Sequence, residues 1–256
     1  MRLGTTSYIY PADILANVRK LAGVVQDVEL LIFEVGDRQT PYPEQAVLHE
    51  LRELAAEADL TYTVHLPMDL ALAADRPALE AALGVVRHTA ELAPHGFVVH
   101  LDGQGPDQAY EHSRWLENSV RSLEALMQEV ADPRMLCVEN LEDQPPEFLH
   151  SILNLLPVSC CVDVGHLWKQ GLDPVPLLDA WLPRAEVVHL HGLGQRDHQA
   201  LSLMEPAELD PVVAALASNF NGVLTFEIFS ESDLFDCLEA FKRARERLGS
   251  GEDFLP

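Results

Sequence analysis

Short β-rich runs recur along the chain, each followed by a longer stretch of helical periodicity, and this alternation constrains the fold more than any other feature. The runs are Leu3–Tyr8, Glu29–Val35, Thr61–Leu66, Gly96–Leu101, Met135–Asn140, Ser159–Val164, Glu186–Leu190 and Val223–Phe229. Dividing 256 residues by eight runs gives 32, about the size of one strand–helix unit. Between the runs, Arg76–Leu92 is rich in Ala and Leu, with Asp75 placed as an N-cap and Pro77 just inside. Glu111–Val130 and Pro206–Ser218 repeat apolar residues at helical spacing, and Leu234–Leu248 reads as a closing amphipathic helix. Strands alternating with helices imply a parallel sheet, and eight units predict a closed (β/α)8 barrel of the α/β class. An open doubly wound sheet would carry a glycine-rich phosphate loop after its first strand; Gly4-Thr5-Thr6-Ser7 is not one. No Ser/Gly-rich linker divides the chain, so residues 1–256 are expected to form a single domain.

Composition then removes several function classes. An apolar fraction of 48% excludes a disordered chain, and no run approaches the ~20 apolar residues of a spanning helix. Met1-Arg2-Leu3-Gly4-Thr5-Thr6-Ser7 enters strand-like sequence without a signal-peptide pattern. Cys137, Cys160, Cys161 and Cys237 lack zinc-finger or redox spacing and read as free thiols. A cytoplasmic protein is expected. The charge, 17 − 41 = −24, disfavours extended nucleic-acid binding and an anionic membrane surface, because both depend on displaying Lys and Arg. The basic cluster Lys242-Arg243-Ala244-Arg245-Glu246-Arg247 reads as the polar face of the last helix.

In a (β/α)8 barrel, chemistry sits at the C-terminal ends of the strands. Those ends read Phe33-Glu34-Val35, Val64-His65-Leu66-Pro67, Val99-His100-Leu101-Asp102, Val138-Glu139-Asn140, Val162-Asp163-Val164-Gly165-His166, Val188-His189-Leu190-His191-Gly192 and Phe226-Glu227-Ile228, with Arg196-Asp197-His198 following the seventh strand. Alternation turns His65, His100, Glu139 and Glu227 away from their apolar neighbours and toward the barrel axis. Six of the eleven histidines (His65, His100, His166, His189, His191 and His198) fall in this set, too many for scattered core residues. Singly, each has a plain reading: a hydrogen-bonded core histidine, a capping or salt-bridging Glu34, loop polarity at Asp197-His198. Jointly they need one explanation. Buried acids and imidazoles at one mouth are costly without a partner, and a divalent cation is such a partner. Cys160-Cys161, Trp115 and Trp181 read as packing residues, and Trp168 as packing or a stacking surface near the mouth.

These strand ends resemble the xylose isomerase-like TIM barrel superfamily, which includes endonuclease IV-type apurinic-site enzymes and many sugar isomerases and epimerases. Asp163-Val164-Gly165-His166 matches its Asp-x-x-His after strand six, and Glu139, Asp163, His189 and Glu227 match its metal quartet. In the sugar-isomerase branch the resemblance implies one metal on the quartet, with Glu139 and Glu227 transferring protons. The endonuclease IV branch adds histidines after strands three and four and an Asp/His pair after strand seven, and this sequence has those additions. The resemblance then implies two or three divalent ions (Zn, Mn or Fe). His65, His100 and Glu139 would hold the first, and Glu139, Asp163, His189 and Glu227 the second. His166, Asp197 and His198 would hold the third. The family separates its Asp and His after strand seven by one residue, whereas Asp197 and His198 are adjacent. His191 then either substitutes at the third ion or holds a neighbouring carboxylate.

A cation pair ~3.5–4 Å apart suits phosphodiester hydrolysis. The expected activity is therefore metal-dependent hydrolysis of a small-molecule phosphodiester, with Glu139, Glu227, Glu34 and Arg196 as catalytic candidates. Arg196, and after it Lys169 and Arg38, are candidates for contact with a phosphate oxygen. Gly4-Thr5-Thr6-Ser7-Tyr8, His189-Leu190-His191-Gly192 and Arg196-Asp197-His198 resemble the cobamide-remodelling phosphodiesterases, which cleave the nucleotide loop of an adenosylated cobamide. A metal-dependent sugar isomerase or epimerase and an apurinic-site endonuclease are the alternatives.

Overall fold

Eight parallel strands close into a barrel in the computed structural model of the chain, which describes residues 1–32, 34–35, 38–39, 42–67, 72, 76–101 and 109–249. The strands are β1 (Arg2–Thr6), β2 (Asp27–Leu31), β3 (Thr61–His65), β4 (Phe97–Val99), β5 (Leu136–Glu139), β6 (Ser159–Asp163), β7 (Ala185–Leu190) and β8 (Val223–Phe226). Each pairs with its sequence neighbours, and β1 closes the ring on β8 from Arg2↔Val223 to Thr5↔Phe226. The helices between them are α1 (Ile14–Leu21), α2 (Gln45–Ala58), α3 (Arg76–Thr89), α4 (Ala109–Met127), α5 (Glu147–Leu155), α6 (Val164–Lys169), α7 (Pro174–Trp181), α8 (Pro206–Asn219) and α9 (Glu231–Arg247). None of the described helices is long and apolar enough to cross a membrane.

Alternation along the strands builds two cores. Outward residues such as Val64, Val99, Val138, Cys160, Val162 and Val188 pack beneath the helices in the main apolar cluster. Inward, Val98, Cys137, Cys161 and Val187 form a separate buried plug inside the barrel. The next inward residue on each of these four strands lies two positions further along: His100, Glu139, Asp163 and His189. The polar constellation is thus the layer above an apolar floor. Cys160 and Cys161 split between the helix side and the interior, and all four cysteines are buried free thiols.

Two boundaries differ from the sequence reading in ways that matter for the site. The second strand leaves the barrel after Leu31, and Glu34–Val35 pairs antiparallel with Arg38–Gln39 instead. The unbroken apolar run Leu30-Leu31-Ile32 hides this departure, although Gly36-Asp37 is a two-residue hairpin signal in the sequence. Glu34 therefore belongs to a hairpin rather than a strand end. Its side chain and that of Arg38 lie outside the described residues, as do Asp75 and Asp102. The closing helix starts earlier than its apolar pattern, at Glu231, because the Ser230 hydroxyl caps it by accepting from Asp233 N at 3.2 Å.

Candidate metal centre

Strand register sets the ligand-type side chains at one height. Asp163 lies opposite His189, and His65 lies opposite Leu31 and Val98. His65, Asp163 and His189 are fully buried, and Glu139, Glu227 and His166 are at most 4% exposed. Ligand-type atoms gather in overlapping groups, each with its atoms within 4.8 Å of one another. The first is His65, His100 and Glu139; the second is Glu139, Asp163, His189 and Glu227; the third is Asp163, His166, His191 and His198. Glu139 belongs to the first two and Asp163 to the last two, so each junction is a carboxylate with an oxygen for either side.

The hydrogen bonds around the rings decide which nitrogen faces inward. His65 Nδ1–H donates to Leu66 O at 2.7 Å, which leaves Nε2 facing Glu139 Oε2 at 3.4 Å. His100 Nε2 lies 2.8 Å from the same oxygen. His189 Nε2 donates to Glu29 Oε2 at 2.9 Å, so Nδ1 faces Glu227 Oε2 at 3.1 Å and Glu139 Oε1 at 3.6 Å. His191 is turned the other way. Its Nδ1 accepts the His198 backbone N–H at 3.0 Å, which puts its proton on Nε2, 3.4 Å from Asp163 Oδ1. Nε2 is buried without a hydrogen-bond partner, and His191 belongs to the third group with Asp163, His166 and His198. Its ring lies over Gly165, where an added Cβ would fall 2.0 Å from His191 Cε1.

The donor set fits divalent cations. Asp163 Oδ2 and His189 Nδ1 are buried without a hydrogen-bond partner, and both belong to the second group. A buried oxygen and a buried ring nitrogen left in this way are costly unless a cation takes both. Protons on the imidazoles otherwise balance the acids. Burial works against charge on Glu139 and Glu227, but the neighbouring imidazoles (His100 and His189 for Glu139, His189 and His198 for Glu227) hold both carboxyls well below the usual range. Burial likewise disfavours charged His166 and His198, yet the acids beside them, led by Asp163 and Glu227 respectively, raise these rings to about 9 and about 10.

The structure brings together His65, His100, Glu139, Asp163, His166, His189, His191, His198 and Glu227. Asp197 stands at the edge: Oδ2 pairs with Lys169 Nζ and Oδ1 lies 3.3 Å from His198 Nδ1. Arg196 is exposed on the loop after β7, where its backbone N–H donates to Gln199 Oε1. Lys169 is half-exposed between Asp197 and Glu142, and Trp168 packs on the core. Sequence reasoning passes over three contributors. Glu29 is the carboxylate behind His189. Asn140 clamps Asp163, donating to its carbonyl and accepting from its N–H, both at 2.9 Å. Glu142 Oε2 lies 3.2 Å from His166 Nε2. The inward facing of Glu29, two residues after Asp27 on an otherwise apolar strand, is the signal that could have found it.

The barrel is shared with solved proteins of low identity. A D-tagatose 3-epimerase-like protein matches with a TM-score of 0.81 at 19% identity, over 97% of this chain and 98% of that one. D-Psicose 3-epimerase from Clostridium cellulolyticum H10 gives 0.71 at 15%, over 96% and 99%. Endonuclease IV from Thermus thermophilus gives 0.69 at 20%, over 96% and 100%. At these identities the likeness is one of fold. No curated protein matches the chain. The family model described as a xylose isomerase-like TIM barrel matches residues 18–251, from the first helix to beyond the last, and the chain belongs to that family.

Proposed function

We propose that the chain is a metal-dependent hydrolase of small-molecule phosphodiesters. The observation that carries this reading is the group His65, His100 and Glu139 lying against the quartet and sharing Glu139 with it. A single-ion site needs only the quartet, and under that chemistry the two further imidazoles would serve to bind substrate hydroxyls rather than an ion. When bound, paired divalent ions would supply a nucleophile from water at neutral pH and neutralise charge on the phosphate oxygens. His65 and His100 would hold one ion with Glu139; Asp163, His189 and Glu227 would hold the next; Asp163, His166 and His198 are the donors for a third.

The remaining residues orient these donors. Leu66 O fixes the His65 ring, Glu29 fixes His189, and Asn140 fixes the Asp163 backbone. At the rim, Arg196 is the candidate for contact with a phosphate oxygen, whereas Lys169 is held in ion pairs with Asp197 and Glu142. The net charge of −24 supports a compact substrate over a nucleic-acid duplex. The nucleotide loop of an adenosylated cobamide is the substrate that the sequence resemblance suggests.

The test is to load the protein with Zn, Mn or Fe and assay adenosylcobalamin, cyclic nucleotides and bis-p-nitrophenyl phosphate. Hydrolysis of at least one is expected; inertness toward all with every metal overturns the proposal. A second reading, sugar epimerisation with Glu139 and Glu227 moving the proton, is favoured by the self-contained quartet and by the epimerases among the fold relatives. It requires one ion per chain and solvent deuterium exchange into a ketose.

A further inference from the structure

We infer that Lys169 is a built-in counter-cation for the third donor group: its ammonium occupies the two acids that would otherwise complete that group, and so restricts tightly held ions to the first two groups. This inference rests on the phosphodiester reading, which places an ion on each of those two.

A chain of ion pairs runs around the outer side of the third group. His166 Nδ1–H donates to Asn140 O at 2.9 Å, so Nε2 is the remaining ring nitrogen, and Glu142 Oε2 lies 3.2 Å from it. The other Glu142 oxygen, Oε1, accepts from Lys169 Nζ at 3.0 Å. Lys169 Nζ also donates to Asp197 Oδ2 at 2.5 Å, and Asp197 Oδ1 lies 3.3 Å from His198 Nδ1. Each acid thus turns one oxygen to a histidine of the group and the other to the lysine. Glu139, Asp163 and Glu227 already serve the first two groups. Beyond them, Glu142 and Asp197 are the acids that reach His166 and His198 among the described residues.

Charge decides what this chain does. Four buried carboxylates, those of Glu29, Glu139, Asp163 and Glu227, belong to the first two groups or touch them. Two divalent cations neutralise these four, as buried charge requires. A third cation has to draw its compensation from Glu142 and Asp197, and Lys169 already takes half of it. An ammonium is a compact charge with three donors, so it satisfies both acids at once.

The barrel supplies this arrangement from three successive strand ends. Glu142 follows β5, Lys169 lies in α6 after β6, and Asp197 follows β7. Lys169 is three residues beyond His166 in α6, a spacing that keeps the ammonium on the same side of the helix as the ring. Removing the charge should therefore release both acids to the third group without moving its histidines.

The test counts ions rather than turnover. Wild type, Lys169→Met, Lys169→Arg and the double variant Lys169→Met/Asp197→Asn are loaded with Zn and desalted. Elemental analysis counts the bound ions, chelator competition gives the stepwise affinities, and thermal melts of the metal-free chains confirm folding. Wild type should hold two ions tightly. Lys169→Met should tighten the third by about 10–100-fold, the range over which groups behind a ligand change metal affinity. Lys169→Arg keeps the charge and should behave as wild type, and the double variant should lose most of the gain. Because Lys169 is half-exposed, added salt should shrink the difference between wild type and Lys169→Met. Three tightly held ions in wild type, or a third ion no tighter in Lys169→Met, overturn the counter-cation role and leave the phosphodiester reading standing. Fewer than two ions in wild type overturn both.

Discussion

Glu29 accepts a hydrogen bond from His189 Nε2 at 2.9 Å, and both side chains are fully buried inside the barrel. The role of this carboxylate in the interior is to fix a tautomer. With the proton held on Nε2, His189 turns Nδ1 toward Glu227, Glu139 and Asp163. Replacing Glu29 by Ala should weaken ion binding at the quartet by about 10–100-fold, whereas Glu29→Gln keeps an acceptor and should cost less. Chelator competition measures the affinity, and the nitrogen chemical shifts of His189 report the tautomer directly. Unchanged affinity in Glu29→Ala would show that the bond does not position the ring.

The two readings of function part at His65. Under phosphodiester hydrolysis, His65→Ala should lower the metal content by about one ion per chain and cut turnover by about a hundredfold or more. Elemental analysis beside the phosphodiester assay checks both. A variant with an unchanged ion count would favour the single-ion reading.

Protons and the proposed cations would compete for the same rings. His166 and His198 are raised to about 9 and about 10 from the free value of 6.5. A raised histidine stabilises the metal-free fold fully below the unfolded pKa and loses that contribution as pH rises through the folded pKa. The metal-free protein should therefore melt higher near pH 6 than near pH 10. Loading the third group must expel these protons, so its affinity should climb with pH across the same interval. Calorimetry in buffers of different ionisation enthalpy counts the protons released.

Asn140 makes two buried bonds to the Asp163 backbone, one in each direction. Asn140→Ala removes both and leaves a donor and an acceptor unsatisfied, at a cost of about 2–3 kcal/mol. For a chain of this size that lowers Tm by several degrees. A thermal melt of the metal-free protein reads it without interference from bound ions.

The barrel and much of its mouth are legible in the sequence because both follow from counting. Period-two alternation places His65 and Glu139 inward once Val64 and Val138 face helices, and strand spacing brings successive ends together. Glu29 escapes because it sits at the midpoint of its strand, where no end signal marks it. The role of His191 depends on which nitrogen accepts the His198 N–H, and that in turn depends on His198 adopting a positive φ of 52°, a conformation no residue pattern announces. Glu34 reads as a strand end only because an apolar run conceals where β2 stops.

The imidazole of His191 occupies the volume that a side chain at position 165 would need. The two positions are thereby coupled: any side chain at 165 has to displace this ring, and another barrel of this family could receive the ring only with glycine at the matching place.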